Sequence, residues 1–184
     1  MTALHDLRSG AVDPTPADID AVRERLGREP QAGFRVVVRS PDGAPVVIRN
    51  APLLDDGTPM PTRFWLVDPQ LARAVGTLEA DGGVDRSEAE VDPVDLDDTH
   101  LRAAAERDAA LPEGHTGPVP AGGVGGTRRG VKCLHAHLAN HLAVGGDPVG
   151  EWVLDRLGPL GEPYRTLVGR RTAAGAAGDG SGES

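Results

Sequence analysis

The first regular alternation of apolar and polar residues predicts an amphipathic helix near the start of the chain. Ile19, Val22 and Leu26 recur at helical spacing, so they share one face. Signals for both ends of this helix are present: a capping Thr, a Pro suited to the first turn, an Asp that completes a capping box, and a terminal Gly. These are Thr15, Pro16, Asp18 and Gly27.

Two β-branched runs come next and predict a hairpin. The runs 35–39 and 45–50 flank a Pro-Asp-Gly turn. A short apolar run at 63–67 is a candidate third strand. The strands are clustered early in the chain and do not alternate with helices, which argues against a doubly wound sheet.

Helical patterns dominate the rest of the chain. They cover residues 68–83, 97–111, 131–144 and 147–158. The sequence therefore predicts an α+β fold: a small antiparallel sheet of about three strands, packed with four or five helices in a single domain.

The ends of the chain differ from this body in composition. We predict a flexible N-terminus over 1–14, one domain over 15–171 and a disordered, low-complexity tail over 172–184. The stretch 112–130 predicts a long loop without regular structure. Loops of this length in a compact domain are usually functional or disordered.

Charge and composition exclude several functional classes. The net charge of −9 argues against nonspecific nucleic-acid binding, which needs a basic surface. No apolar run approaches the length of a membrane helix, and the start lacks the apolar segment of a secretory signal. A single cysteine cannot form an internal disulfide. We expect a cytoplasmic protein without membrane insertion.

The stretch 126–150 concentrates residue types that carry chemistry. It contains the lysine Lys132, the cysteine Cys133 and three of the six histidines. On a helix, Cys133, His137 and His141 are successive i, i+4 neighbours that could supply three metal ligands, with zinc as the metal. Val131, Leu134, Leu138 and Leu142 would form the core face, on which His135 also falls. If the segment begins extended, Cys133, His135 and His137 share one face instead.

Two other interpretations of this stretch stay open. Cys133, His137 and His135 could perform nucleophilic or acid/base catalysis in a hydrolase, or Cys133 could sense redox state. Alternatively, the cysteine is a small buried hydrophobe and the histidines are structural.

The glycine-rich loop before the predicted helix suggests anion binding. Thr127, Arg128, Arg129 and Lys132 lie between these glycines and a helix N-terminus, where amide groups and the helix dipole attract anions. The loop lacks the P-loop pattern, because Val131 intervenes before the lysine. The "DDGTP" stretch at 55–59 predicts a turn, and Asp56 and Thr58 are further candidates for ligand contact.

Together, "DGTPMPTRFWLVDP", "GGVGGTRRGVKCLHAHLA" and "DPVG" resemble the bacterial family called domain of unknown function 501, over roughly residues 16–160. The resemblance favours Cys133, His135 and His137 over His141, because "CLHAH" belongs to the shared motif. It also implies a gene neighbourhood of septum-formation and exopolyphosphatase genes. The matching residues are Asp56, Gly57, Thr58, Pro59, Pro61, Thr62, Trp65, Gly130, Lys132, Cys133, Leu134, His135 and His137.

These observations lead to two competing functional hypotheses. The first is a site for a phosphate-containing or other small anionic ligand, with metal or hydrolase chemistry at the Cys-His motif. The second is a non-enzymatic module that binds a protein partner, linked to cell division or the envelope. The module predicts that Cys133 and His137 pack inside, away from any cleft.

Overall fold

The computed structural model describes residues 12–168. The strands are β1 (Phe34–Arg39), β2 (Pro45–Asn50) and β3 (Phe64–Leu66). The helices are α1 (Pro16–Leu26), α2 (Pro69–Ala80), α3 (Gly83–Glu90), α4 (Pro93–Asp108), α5 (Leu134–Val144) and α6 (Pro148–Arg156). A seventh helix, α7, covers 162–168, up to the end of the described residues.

The three strands form an antiparallel sheet in the order β1-β2-β3. Val36 pairs with Ile48, and Ile48 pairs with Trp65. β2 is buried along its whole length because both faces of the sheet are covered. Val36 and Ile48 pack with Val22 of α1 on one face, and the other face joins the main core around α5. The sheet is thus the middle layer between α1 and α5.

Aspartate followed by proline starts three of the helices. Asp68, Asp92 and Asp147 each cap a helix with the side chain accepting one or two amide N–H bonds, and a proline comes after each. The aspartate satisfies an amide that the helix leaves free, and the proline loses nothing at a position without an intrahelical donor. In α1, Thr15 and Asp18 form the predicted reciprocal capping box.

The α+β class and the three-stranded antiparallel sheet are confirmed, but the number and bounds of the helices differ from the prediction. α3 and α7 were not predicted, and α4 begins at Pro93 instead of residue 97. Gly82 does not end a structured region. It adopts a left-handed conformation with φ of 79° between α2 and α3. The acidic run 87–98 closes α3 and opens α4, where aspartates favour the helix N-terminus.

α5 is the central helix of the fold. Nine of its residues are buried, so the helix has no polar outer face and the prediction of a single core face was too narrow. Helix α6 packs against it at Gly150, where an added Cβ would lie 2.3 Å from His141 Cβ and 2.5 Å from the His137 carbonyl oxygen. A side chain at position 150 would therefore push the two helices apart.

The described residues can be compared with the predictions on membrane helices and on the ends of the chain. Within residues 12–168, no helix combines the length and the apolar character needed to cross a bilayer. The predicted tail over 172–184, and all but the last three residues of the predicted flexible N-terminus over 1–14, lie outside the described residues.

Candidate functional site

A cleft of about 260 Å³ opens between the sheet and the start of α5. Side chains of Leu26, Phe64, Trp65 and Leu66 supply its apolar wall. The other residues that line the cleft are Thr62, Gly125, Lys132, Cys133, His135 and Ala136. The structure thus places the most unusual part of the sequence beside an apolar surface.

Cys133 is the N-cap residue of α5. Its backbone is extended, with φ of −158°, and the helix begins only at Leu134. Its Sγ accepts a hydrogen bond from the Ala136 amide at 3.4 Å, as a capping side chain does. Both interpretations of this segment therefore hold in part: the chain is extended at Cys133 and helical after it.

His135 is held by partners at both ring nitrogens. Nδ1 lies 3.1 Å from Glu79 Oε1, and Nε2 lies 3.0 Å from the Ala72 carbonyl oxygen. The hydrogen bond with the Cys133 side chain, helped by Ala72 and Glu79, outweighs desolvation and raises the pKa of His135 to about 9. The ring therefore carries a proton at neutral pH and connects α5 to α2.

Carboxylates of this chain already occupy two amides at the start of α5. The Leu134 amide donates to Glu79 Oε1 at 2.6 Å, and the Val131 amide donates to Glu88 Oε2 at 2.8 Å. Gly130 makes room for this second contact, since an added Cβ would lie 2.7 Å from Glu88 Oε2. These amides are not open donors for an external anion.

The predicted basic residues have different positions. Lys132 lines the cleft, and its Nζ lies 3.5 Å from the Gly125 carbonyl oxygen. Arg128 and Arg129 are exposed on the preceding loop and do not line the cleft. Thr127 Oγ1 donates to the Arg129 carbonyl oxygen at 2.8 Å, so its hydroxyl shapes the loop. A cation that the sequence did not suggest, Arg28, lies 5.4 Å from the ring centroid of Trp65.

The glycine-rich loop is attached to α4. His100 Nδ1 accepts the Val124 amide at 3.1 Å, and its Nε2 donates to the Gly130 carbonyl oxygen at 3.0 Å. Arg107, which is almost fully buried, donates to the Gly122 carbonyl oxygen at 2.6 Å. Burial lowers the pKa of His100, in keeping with a neutral ring that accepts at one nitrogen and donates at the other. Buried side chains of α4 thus hold the part of the loop that borders the cleft.

His137 lies in the interior, away from the cleft. Its side chain is 1% exposed, and Nδ1 lies 3.0 Å from both carboxylate oxygens of Asp147, which is fully buried. Asn140 Nδ2 and the Gly150 amide also donate to Asp147, at 2.9 and 3.0 Å. One carboxylate thereby caps α6 and joins it to α5.

His141 is buried near the same junction, and desolvation lowers its pKa. Among the described residues, His141 Nδ1 and His137 Nε2 have no hydrogen-bond partner. The structure does not bring Cys133, His137 and His141 together. Within residues 12–168, the one group of three potential metal ligands whose donor atoms all lie within 4.8 Å of one another is Glu79, Cys133 and His135.

Asp56 and Thr58 form the predicted turn. Asp56 Oδ1 accepts the Thr58 amide at 2.9 Å, and this bond lowers the pKa of the carboxyl group. Both residues are exposed and neither lines the cleft.

The sequence did not indicate the residues that contact the motif from distant positions in the chain. Glu79 is 56 residues from His135, and Glu88 is 43 residues from Val131. Glu79 is the single acid of α2, which gives it no distinctive local signal. Asp147 carried a signal, since it precedes Pro148 as a helix cap, but its bond to His137 could not be deduced from spacing.

The comparison with protein families gives one match. Residues 36–155 match the family described as "Protein of unknown function (DUF501)". No curated protein and no solved structure matches the chain. The matched region includes the whole sheet apart from its first two residues, the α5 motif and all but one of the residues lining the cleft, Leu26.

Proposed function

Since the chain belongs to the DUF501 family, whose description assigns no activity, we propose a function from the cleft: it binds a small anionic ligand that also carries an apolar part. The observation that supports this most directly is the pairing of Lys132 with an aromatic wall in a protein of net charge −9. A cation retained beside a concave apolar surface is a typical arrangement for orienting a charged ligand.

The apolar wall favours a ligand with a ring or chain over a bare ion. Trp65 and Leu66 are partly exposed in the cleft and would lose water when covered. Arg28 lies over the ring of Trp65 and places a second cation beside this wall. A nucleotide or a comparable phosphate ester fits this combination better than inorganic phosphate.

The contribution of Lys132 can be measured by calorimetry. Phosphate, polyphosphate and nucleotides would be titrated into the full chain, with Lys132→Gln as the variant. Arg86→Gln is the matched control, because Arg86 is an exposed cation of α3 that does not line the cleft. A charge-assisted hydrogen bond is worth about 1.5–3 kcal/mol, so Lys132→Gln should weaken binding roughly 10- to 100-fold. The control should bind as the unmodified protein does.

Absence of binding heat with all three ligand classes would refute the proposal. Equal affinities for Lys132→Gln and the unmodified protein would also refute it, since the ligand would then lie elsewhere.

Hydrolase chemistry at this cleft stays a prediction. Cys133 and His135 face the cleft, so they are the side chains of the predicted catalytic set that a ligand could reach. His137 lies against Asp147 in the interior and would act only through the packing of α5. Phosphate release from a bound nucleotide, compared between the unmodified protein and Cys133→Ala, tests this prediction.

A second candidate function, a protein-interaction module, is favoured by one surface. Val94 and Leu101 of α4 are 66% and 68% exposed and are two helical turns apart, so they lie on one side of the helix. Cross-linking in cells of the unmodified chain and of Leu101→Ser would test whether a partner covers this surface. The link to cell division or the envelope, and the cytoplasmic location, stay predictions that cell fractionation can test.

A further inference from the structure

We infer that Glu79, Cys133 and His135 form a binding site for a divalent cation of the zinc class at the wall of the cleft. Their donor atoms all lie within 4.8 Å of one another. The inference does not depend on anion binding, because it concerns different side chains from Lys132 and Arg28. It also replaces the spacing-based set of Cys133, His137 and His141, whose histidines lie in the interior.

The three donors suit one metal chemically. A thiolate, an imidazole and a carboxylate are the ligand types that zinc accepts, whereas calcium and magnesium select oxygen alone. Bond lengths of about 2.0–2.3 Å in a tetrahedral site place ligand atoms roughly 3.3–3.8 Å apart. His135 Nδ1 and Glu79 Oε1 are 3.1 Å apart, and all three donor atoms lie within 4.8 Å of one another, so the side chains would have to close around the ion.

His135 has the orientation expected of a metal ligand. Nε2 lies 3.0 Å from the Ala72 carbonyl oxygen and can donate its hydrogen there. A ligating histidine usually donates its second ring N–H to a carbonyl or carboxylate, which fixes the tautomer and the ring plane. Metal binding would release to water the Nδ1 proton that faces Glu79 and the thiol proton of Cys133. With Nε2 still engaged, the lone pair of Nδ1 would then point to the space shared with Glu79.

Backbone amides support the other two ligands. The Ala136 amide points at Cys133 Sγ, and it can continue to donate when the sulfur binds a metal. The Leu134 amide holds Glu79 Oε1 at 2.6 Å. Both amides belong to the first turn of α5, so the helix itself fixes the positions of the sulfur and the carboxylate.

The cluster borders the cleft, from which a fourth ligand could approach a bound ion. All three residues are only partly buried, and Cys133 and His135 line the cleft. Three protein ligands with an open fourth position are the pattern of a zinc site that also binds water or a small molecule. Without a metal, the same contacts amount to an ion pair between α2 and α5, and this is the alternative that the experiment must separate.

The experiment is a titration of tag-free, full-length protein with Co²⁺, which substitutes for zinc and gives a charge-transfer absorption band when a thiolate coordinates it. We expect one bound equivalent with this band, and displacement by Zn²⁺. Cys133→Ser and His135→Gln should weaken binding on the order of 100-fold, because even outer partners of metal ligands are worth roughly 10- to 100-fold. Glu79→Gln should weaken binding less while leaving the thiolate band in place.

Controls separate this site from other histidines and from the anion proposal. His115→Gln, outside the cleft, should bind Co²⁺ as the unmodified protein does, and the Co²⁺ titration is run without phosphate or nucleotide so that it does not report on anion binding. The metal result therefore stands or falls independently of nucleotide binding. Absence of a thiolate band, or a band that forms in His135→Gln at the same Co²⁺ concentration as in the unmodified protein, would overturn the inference in favour of the ion pair.

A second measurement keeps the test decisive if a variant fails to fold. Alkylation of Cys133 in the unmodified protein would be followed with and without Zn²⁺. Coordination should slow the reaction at least about tenfold at saturating Zn²⁺, because the thiolate is the reactive form, and Mg²⁺ should have no effect. Equal rates with and without Zn²⁺ would overturn the inference.

Discussion

His135 and His141 lie on the same helix, and their environments change their chemistry in opposite directions. His135 faces the cleft, where bonds with Cys133, Ala72 and Glu79 raise its pKa to about 9. His141 lies at the junction with α6, where desolvation lowers its pKa. The difference shows that the residue types in a motif do not decide its chemistry. The first turn of α5 borders the cleft, whereas the side of the helix that packs against α6 lies in the interior.

The largest expected effect is a loss of stability at the buried junction of α5 and α6. Asp147→Ala removes the carboxylate that accepts from His137, Asn140 and the Gly150 amide in the interior. Loss of a buried charged partner costs about 3–5 kcal/mol, and we expect that decrease in the free energy of unfolding. Asp92→Ala is the matched control, because Asp92 caps α4 at the surface and should cost about 1 kcal/mol.

Urea denaturation of both variants measures this difference. If Asp147→Ala lowered the free energy of unfolding no more than Asp92→Ala, the junction of α5 and α6 would contribute no more to stability than an exposed helix cap does.

The next effect tests how closely α5 and α6 pack. Gly150→Ala places a Cβ 2.3 Å from His141 Cβ, so we expect a loss of about 3 kcal/mol from overpacking. Gly76→Ala is the control within α2, since an added Cβ there meets nothing within 4 Å. That variant should gain up to about 1 kcal/mol from helix propensity. In thermal unfolding, Gly150→Ala should lower the midpoint temperature and Gly76→Ala should raise it. A change in the same direction for both variants would contradict the close packing of α5 against α6.

A smaller effect is expected on the cleft side. Glu79→Gln keeps a hydrogen-bond acceptor for the Leu134 amide but removes the negative charge beside His135. Because this pair is partly exposed, the free energy of unfolding should fall by only about 1 kcal/mol in the metal-free protein. Glu24→Gln, at an exposed position of α1, should change it by less than about 0.5 kcal/mol. If Glu79→Gln lowered the free energy of unfolding as much as Asp147→Ala does, the cleft side of α5 and its junction with α6 would not differ in their contribution to stability.

The smallest effect is a pH dependence from the buried histidines. The carboxylates of Asp147, Glu151 and Asp155 favour a charged His141, but desolvation outweighs them and the pKa of His141 stays below its ordinary value. His100 is shifted in the same direction by burial. A group whose pKa is lower in the folded state stabilises the fold above the unfolded value of about 6.5, and this stabilisation is lost as pH falls.

Denaturation at a series of pH values between about 6 and 5, below the window in which the raised pKa of His135 changes stability, should therefore show decreasing stability, with a shallower slope for His141→Leu. The depressed pKa of Asp18, caused first by its bonds to Arg39, acts in a separate window below about 4. Identical slopes for His141→Leu and the unmodified protein would show that His141 does not titrate with unfolding.

The elements with local signals could be predicted from the sequence. The hairpin was evident from two β-branched runs around a turn, and α1 from its capping residues. α3 was missed because Gly82 looks like the end of a helix, whereas its left-handed backbone connects two helices. Glycine at such a position marks a change of direction, and the residue itself does not determine whether a loop or another helix comes next.

The candidate site was predictable only in part. Cys133 and Lys132 were found from composition and spacing, and both line the cleft. Their relation to the histidines stayed open between a helical and an extended interpretation, because the sequence did not show that Cys133 is an extended cap residue of a helix that begins at Leu134. A cap residue does not follow the helical rotation, so Cys133 and His137 diverge. Glu79 joins them through tertiary packing, and no spacing rule applies across that distance.

The carboxylates that hold the start of α5 bear on which ligand the proposed function would favour. Glu79 and Glu88 already accept the amides of Leu134 and Val131, so these amides offer no free donors to an incoming anion. If the cleft binds an anion as proposed, a bare ion such as phosphate would gain little at this end of the helix. A ligand with an apolar body, or one that arrives with a cation, would be favoured over it, and the helix anchors would then also set selectivity.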